Sequence, residues 1–211
     1  MRLDRVPSTQ DVARAEIEDL PLLVMAAGQT AGRGRSGAQW LTSDRALAVS
    51  LALHHDPADT RPLTLMAGLA AVEATEGTTL KWPNDVLKAG AKVGGILVER
   101  SGGLTVTGLG LNLWWREAPE GTTALFATDP GEEAHAEIGA RWGAELMRLI
   151  DSEGWPVDLY RRTCATLGRP ITWEPNGSGT AIDVDPDGGL IVRTSTGDRT
   201  LVSGAVAHVR Q

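Results

Sequence analysis

The sequence predicts an α+β fold, in which an α/β-type mixed sheet with flanking helices is followed by a small β-barrel-like domain. Helical and strand-like patterns alternate over most of the chain, whereas after Leu167-Gly168-Arg169-Pro170 only short strands and tight turns are indicated. With 211 residues, the chain is long enough for one good core and a small appendage. We therefore predict two domains, 1–166 and 167–211.

The N-terminal part contains the segments expected to form the sheet. Ser8 or Thr9 is suited to cap a first helix that runs to about Asp19. A second helix, 62–74, is apolar almost all round, as expected for a helix packed deep against a sheet. Strands are predicted at 22–27, 47–53, 79–82, 93–100 and 104–114, and residues 28–39 are predicted to be a mobile loop.

The C-terminal part begins with a stretch, 119–131, that shows no regular pattern. An amphipathic helix follows over 132–153, and another helix is predicted over 157–166. Short strands are then predicted at 171–173, 179–184, 190–194 and 201–209, with a tight turn at Asp185-Pro186-Asp187-Gly188-Gly189.

Composition restricts the function classes. The formal net charge is −7 and the pI is about 5.1, which argues against a surface that neutralises a nucleic-acid backbone. Cys164 is the only cysteine, so an intramolecular disulfide is impossible, and the four histidines lack metal-ligand spacing. No apolar run approaches the ~18 residues of a membrane span. We expect a soluble, unprocessed, cytoplasmic protein with no DNA and no membrane partner.

A glycine- and arginine-rich segment, Gln29-Thr30-Ala31-Gly32-Arg33-Gly34-Arg35-Ser36-Gly37, stands out within the predicted loop. Glycines let a backbone approach a ligand closely, and arginine offers a planar cationic fork that suits phosphate oxygens. The segment is therefore a candidate clamp for a nucleotide or pyrophosphate. The alternative is a solvated basic turn, and the Gly-Lys-Ser/Thr of a phosphate-binding loop is absent.

Two lysines lie on either side of a proline turn. Lys92 opens an otherwise apolar strand, so its ammonium group either reaches solvent or serves a pocket. Lys88 is expected to be an ordinary exposed lysine, and Lys81 to have at most a supporting role. Pro83 restricts the preceding residue to extended geometry, so Asn84-Asp85 is predicted at a bend, either as simple turn formers or as pocket residues.

Several further residues have both a structural and a functional interpretation. Asn112, in Gly108-Leu109-Gly110-Leu111-Asn112, either satisfies backbone groups or helps to hold a hydrated cation. Trp40 is expected to line the core or a pocket wall, like Trp82, Trp114 and Trp115, and one of the four is available to stack on an adenine. Glu99 is expected to be a surface charge and Cys164 a buried small residue.

Taken in order, these motifs resemble those of the biotin-protein ligase family, in its short form without an N-terminal DNA-binding domain. The match is carried by Ser8-Thr9, by Gln29 with Gly32-Arg33-Gly34-Arg35, by Lys81-Trp82-Pro83-Asn84-Asp85, by Lys92 with Gly95-Ile96-Leu97-Val98-Glu99, and by Gly108-x-Gly110-x-Asn112. Cys164-Ala165-Thr166-Leu167-Gly168 and Gly179-Thr180-Ala181-Ile182-Asp183 resemble the family's C-terminal module. The resemblance implies a class II synthetase-like catalytic domain with an SH3-like barrel.

The family activity, as implied by this resemblance, is the ATP- and Mg²⁺-dependent conversion of biotin into biotinyl-5′-AMP. The biotinyl group is then transferred to one lysine of a biotin carboxyl carrier domain. Ser8, Thr9 and Gln29 would bind the ureido ring, and Arg33 with Arg35 would close over the carboxylate and phosphates. The predicted substrate-binding set further includes Gln10, Gly32, Gly34, Trp40, Asn84, Lys92, Gly95 and Asn112.

Three residues are the predicted catalytic groups. Lys92 and Arg33 would neutralise the two anions that meet during adenylation, and Asp85 would orient or deprotonate the carrier amine. Asn112 and the ligand phosphates would share a partly hydrated Mg²⁺. The resemblance also makes a homodimer possible through an exposed sheet edge.

The sequence departs from the family pattern at three positions. Gln10 stands where the first motif usually has Asn, Ala38 where a further Arg often follows the loop's last glycine, and Ser36 where some members have a third Arg. Two alternatives stay open: a lipoate or octanoate transferase-like acyl ligase, which shares the general fold, and a catalytically silent ligand-binding relative, which is suggested by Gln10 and Ala38.

Overall fold

Two β-sheets and four helices form the protein in a computed structural model, which describes residues 1–54 and 58–209. The first sheet has seven strands in the order β1-β2-β3-β7-β6-β5-β4, and the second has five in the order β11-β10-β9-β8-β12. Among the described strands of the large sheet, only β1 and β2 pair in parallel, so the sheet is mixed. The α+β class is confirmed.

The large sheet is built from segments between residues 2 and 114. Its strands are β1 (Arg2–Val6), β2 (Leu22–Gln29), β3 (Arg45–His54), β4 (Thr78–Lys81), β5 (Asp85–Lys88), β6 (Ala91–Ser101) and β7 (Leu104–Trp114). The register between β3, β7 and β6 places Ala48 opposite Gly110 and Gly110 opposite Gly95. These three strands form the centre of the sheet.

One face of the large sheet is covered by two long helices, α2 (Leu63–Ala74) and α3 (Ala134–Asp151). Alternate strand residues such as Leu47, Val49 and Leu109 enter this core, because side chains alternate between the faces of a strand. Trp142 of α3 is fully buried, and its indole donates to the carbonyl of Ala67 in α2 at 3.1 Å. This helical layer leaves the opposite face for a site.

That opposite face carries α1 (Thr9–Glu16) over β2, β3 and β7. Ala13 of α1 is buried against Val24, Ala52 and Val106, which come from those three strands. Beyond this small cluster, the strand residues become glycine, alanine and serine. The apolar layer therefore stops, and a cavity begins.

The C-terminal sheet follows a short helix, α4 (Val157–Thr163), and is antiparallel throughout. Its strands are β8 (Pro170–Trp173), β9 (Gly177–Val184), β10 (Leu190–Thr194), β11 (Gly197–Leu201) and β12 (Val206–His208). Its interior residues join the same hydrophobic cluster as α2 and α3. The boundary between residues 166 and 167 stays a prediction, and residues 55–57 and 210–211 of the predicted domains lie outside the described residues.

Most predicted elements are present with shifted ends, but some predictions are wrong. Strands β1 and β5 were not predicted, and Asp85 begins β5 instead of lying at the bend, which comprises residues 82–84. The single strand predicted at 201–209 is wrong, because β11 lies almost entirely before it, at Gly197–Leu201, and residues 202–205 connect β11 to β12. Ser8 occupies the N-cap position of α1 without a side-chain capping bond. Lys88 is half-buried, and its ammonium donates to the carbonyl of Leu125.

Other predictions are confirmed. Residues 119–131 form no helix or named strand, and helices are present at the four predicted places, with α1 ending at Glu16 and α4 at Thr163. Cys164 is buried. The segment 28–39 contains the end of β2 and a 3-10 turn at Arg35–Gly37.

Candidate active site

A cavity of about 430 Å³ lies on the face of the large sheet opposite α2 and α3. Its floor consists of small residues on three neighbouring strands: Ala48 and Ser50 of β3, Gly108 and Gly110 of β7, and Gly95 of β6. A Cβ at Gly110 would stand 2.8 Å from the Trp40 ring, and one at Gly108 would stand 2.8 Å from the Gln10 amide nitrogen. The missing side chains therefore create the space above the sheet.

One end of the cavity is lined by hydrogen-bonding side chains from the start of α1 and the end of β2. Gln29 Oε1 accepts from the backbone N–H of Thr9 at 2.7 Å and from its hydroxyl at 3.1 Å. The Thr9 and Ser50 hydroxyl oxygens are 2.8 Å apart. Ser8, also buried, lines the same end. These contacts fix the orientation of Gln29 and Thr9 before any ligand arrives.

Gln10 lines this polar end with an acceptor that has no partner. Its Nε2 donates to the carbonyl of Leu97 at 2.9 Å, and since a carbonyl only accepts, the amide nitrogen must face Leu97. The side chain is 5% exposed, and its Oε1 makes no hydrogen bond to any described residue. A buried acceptor without a donor is unfavourable by about 1–3 kcal/mol. A ligand N–H at this position would remove that cost.

The other end of the cavity is lined by an ion pair between Lys92 and Asp85. Lys92 Nζ lies 2.6 Å from Asp85 Oδ1, and Lys81 Nζ lies 3.9 Å from Asp85 Oδ2. The Lys92 ammonium is also 5.9 Å from the centre of the Trp40 ring, within cation–π range. This arrangement holds a cation and a carboxylate together at the cavity wall.

A β-bulge explains why Lys92 points into the cavity. The register between β5 and β6 pairs Val86 with Gly94 but Leu87 with Lys92, so Val93 is the extra residue. Val93 belongs to the core on the helical side, and a Cβ at Gly94 would meet Leu111 on that same side. Without the bulge, strand alternation would direct Lys92 toward the helices as well.

Arg33 is engaged by carboxylates rather than free above the cavity. Its two terminal nitrogens donate to Asp11 at 2.8 and 2.7 Å, and Glu99 lies 3.4 Å away. This bidentate hydrogen bonding raises the pKa of Arg33 above its ordinary value and lowers the pKa of Asp11. The pairing fastens the loop to α1, and Arg33 must exchange partners before it can bind a ligand anion.

Arg35 connects three parts of the site. It donates from one terminal nitrogen to Asn84 Oδ1 at 3.0 Å and to the backbone carbonyl of Gly204 at 3.2 Å. Asn84 is in turn held by β6, because its Nδ2 donates to the carbonyl of Ile96 at 3.1 Å. Gly204 and Ala205, from the connection between β11 and β12, line the cavity, as does Gly34.

Two predicted site residues do not line the cavity. A Cβ at Gly32 would stand 2.8 Å from Gln29 Nε2 and 3.2 Å from Trp40 Cβ, so Gly32 acts by allowing these two cavity residues to pack. Asn112 lies two residues after Gly110 on β7 and is 4% exposed. Its Oδ1 has no hydrogen-bond partner among the described residues.

The donor set limits how a metal ion could be held. In the part of the chain that the structure describes, no group of three or more His, Cys, Asp or Glu side chains is placed to bind one. The unpartnered Asn112 oxygen fits a Mg²⁺ ion that takes most of its ligands from phosphates and water, as Mg²⁺ commonly does.

Several residues at the site were missed from the sequence. Ser50, Gly204 and Ala205 line the cavity, and Asp11 with Glu99 pairs with Arg33. Ser50 had a detectable signal, because Ala48, Ser50 and Ala52 alternate with large apolar residues along one strand. No sequence signal indicated that the C-terminal sheet contributes to the cavity, since this contribution depends on how the two sheets are arranged.

Comparisons with known proteins agree with this geometry. The profile of the Biotin/lipoate A/B protein ligase family matches residues 3–113, and that of the Biotin protein ligase C terminal domain matches residues 166–209. The chain is 34% identical to a biotin--[acetyl-CoA-carboxylase] ligase of Mycobacterium tuberculosis, covering 90% of this chain and 79% of the relative. It is 32% identical to the Paracoccus denitrificans ligase of the same name, covering 87% and 88%.

Among solved structures, a biotin protein ligase from Aquifex aeolicus in complex with biotin and ATP superposes with a TM-score of 0.82. The identity is 27%, and the match covers 100% of this chain and 98% of that one. The described residues contain no helix long and apolar enough to span a bilayer. Together, the profile matches and the extended identity establish that the chain belongs to the biotin/lipoate A/B protein ligase family.

Proposed function

We propose that the chain is an ATP-dependent biotin-protein ligase, which forms biotinyl-5′-AMP and transfers the biotinyl group to a lysine of a biotin carboxyl carrier domain. One observation carries this proposal: a single cavity joins a hydrogen-bonding end to the Lys92–Asp85 pair. Its volume, about 430 Å³, lies in the range of small-molecule sites. Named relatives and the biotin- and ATP-bound structure support the same substrates.

The hydrogen-bonding end suits the ureido ring of biotin. A cyclic urea has two N–H donors and one carbonyl acceptor, all of which need partners when they leave water. The Gln10 Oε1 acceptor is buried and has no partner among the described residues, so a small rotation of this side chain would let it accept from one N–H. The Ser8, Thr9 and Gln29 groups line the same end of the cavity. Gln10, which stands where the family usually has Asn, thereby makes its own contact with the ligand.

The first chemical step joins a carboxylate to the α-phosphorus of ATP. The carboxylate oxygen forms the new P–O bond, the bond from the α-phosphorus to the bridging oxygen breaks, and pyrophosphate leaves. Two anions must approach, so positioned cations lower the barrier. Lys92 lies at the cavity wall for this purpose, and Arg33 joins it after leaving Asp11.

Mg²⁺ would be held beside the phosphates by Asn112 and water, and it would supply additional positive charge to the leaving pyrophosphate. Trp40, Gly34, Gly95 and Arg35 complete the binding surface for the acyl chain and the phosphates. Trp40 packs on Gly95 and Gly110, which keeps its ring over the cavity floor.

The second step transfers the acyl group to an amine. The carrier lysine nitrogen forms an N–C bond with the carbonyl carbon, the carbonyl–oxygen bond to phosphate breaks, and AMP leaves. Asp85 is placed to orient the attacking amine and to accept its proton, while Lys92 stays near the carbonyl and phosphate.

This proposal includes one assignment of a partner, a second copy of the chain, and one of a cellular location. Pairing of two copies would use a terminal strand of the large sheet, β1 or β4, because each pairs with only one described strand. The cytoplasm is proposed as the location, because the proposed reaction needs both ATP and a carrier domain.

The proposal is tested by incubating the protein with ATP, Mg²⁺ and either biotin or lipoate, and measuring pyrophosphate release and carrier labelling. Biotin-dependent release followed by labelling is the expected result. Dependence on lipoate would instead identify a lipoate ligase, and no release with either acid would identify a silent ligand-binding relative.

A further inference from the structure

A second cavity of about 770 Å³ opens on the other side of the Lys92–Asp85 pair. It lies between the β5–β6 region and the C-terminal sheet, and Lys92 and Asp85 line both cavities. The two cavities therefore share one wall, and that wall carries the groups proposed for acyl transfer. We refer to the second cavity as the transfer groove.

The transfer groove is positively charged although the chain as a whole is acidic. Among the described residues, its lining includes Lys81, Lys92 and Arg169 but only one carboxylate, Asp85, against a formal net charge of −7 for the chain. Arg169 is exposed, and its side chain forms no ion pair with any described carboxylate. Its charge is therefore available to a partner.

The C-terminal side of the groove is fixed to the catalytic sheet. The backbone N–H of Trp82 donates to the Thr166 hydroxyl at 3.0 Å, and the Thr166 oxygen lies 3.1 Å from His208 Nε2. Burial, with Lys81 and Arg169 nearby, lowers the pKa of His208, so the neutral imidazole is favoured at pH 7. Strand β12, which contains His208, is a terminal strand of its sheet.

An acyl transfer between a bound adenylate and a protein needs two approaches to the same carbonyl. The first cavity is occupied by the adenylate at that moment, so the amine has to arrive from elsewhere. We propose that the transfer groove binds the carrier domain itself, with acidic carrier residues beside the target lysine facing Arg169 and Lys81. This inference rests on the proposed function and names the docking surface for its protein substrate.

The competing occupant of a cationic groove is the pyrophosphate of ATP. The arrangement favours a protein, because the groove extends away from the first cavity along Gly168, Ala207 and Val209, which are all exposed.

The test variant is Arg169→Glu, with Arg199→Glu as the matched control. Arg199 lies on β11, which is the edge strand of the C-terminal sheet opposite β12, and it is also exposed. Three reactions are measured: biotin-dependent pyrophosphate release, capture of the acyl group by hydroxylamine, and labelling of a purified biotin carboxyl carrier domain of acetyl-CoA carboxylase. Thermal melting checks that both variants fold.

We expect Arg169→Glu to raise the KM for the carrier domain by about ten-fold, with less salt dependence than the unmodified protein. Pyrophosphate release and hydroxamate formation should stay within about two-fold, and Arg199→Glu should change none of the three reactions. An unchanged carrier KM would overturn the docking surface, and a raised KM for ATP would assign the groove to phosphate. If the unmodified protein forms no adenylate, the proposed function itself fails.

Discussion

Replacing Lys92 with glutamine should slow the adenylation step without preventing the protein from folding. The Lys92 ammonium lies 2.6 Å from Asp85, but the two side chains are 40% and 21% exposed, so the ion pair contributes at most about 1 kcal/mol to stability. At the reacting centre, by contrast, one positioned donor or cation typically contributes a factor of about 10²–10³ in rate. Adenylation should therefore slow by about that factor, while the melting temperature shifts by only a few degrees.

The assay is single-turnover pyrophosphate release at saturating ATP and biotin, with thermal melting in parallel. Lys88→Gln is the matched control, because Lys88 lies four residues away, binds the carbonyl of Leu125 and does not line the ligand cavity. Its adenylation rate should stay close to that of the unmodified protein. Adenylation by Lys92→Gln within about three-fold of normal would remove Lys92 from the mechanism, and loss of folding would show that it is structural.

Three further variants test other parts of the site. Gln10→Leu removes the unpartnered acceptor, so the Kd for biotin in calorimetry should rise about ten-fold; an unchanged Kd would exclude Gln10 from ligand binding. Asp85→Asn should still release pyrophosphate but label the carrier about 10²-fold more slowly, and equal transfer rates would argue against a proton-accepting role. Ala38→Arg adds a cation at the cavity rim and should slow escape of the adenylate into solution; equal leakage by both proteins would show that the family's extra arginine is dispensable here.

The parts of the fold that follow from local patterns were predicted from the sequence. An almost wholly apolar stretch identified α2, amphipathic periodicity identified α3, and Ser101-Gly102-Gly103 identified the hairpin between β6 and β7. Strand β5 was missed because four residues next to a proline turn carry no periodic signal. The break between β11 and β12 was missed because Val202 looks like a strand residue although it is exposed.

The site was predicted as a set of residues but not as a geometry. Sequence motifs predicted Lys92 and Asp85 as site residues. The contact between them depends on the bulge at Val93, which no local sequence pattern predicts. Arg33 was predicted to face ligand anions, and its pairing with Asp11 depends on how α1 lies beside the loop. Long-range packing fixes both features.

The most direct test of the account is a structure of the protein with biotin and ATP bound. The ureido ring should lie between Gln10 and Gln29, with an N–H within hydrogen-bond distance of Gln10 Oε1, and the carboxyl end should reach Lys92. Arg33 should have left Asp11 for the ligand. A biotin molecule bound in the opposite direction, or outside this cavity, would contradict the account.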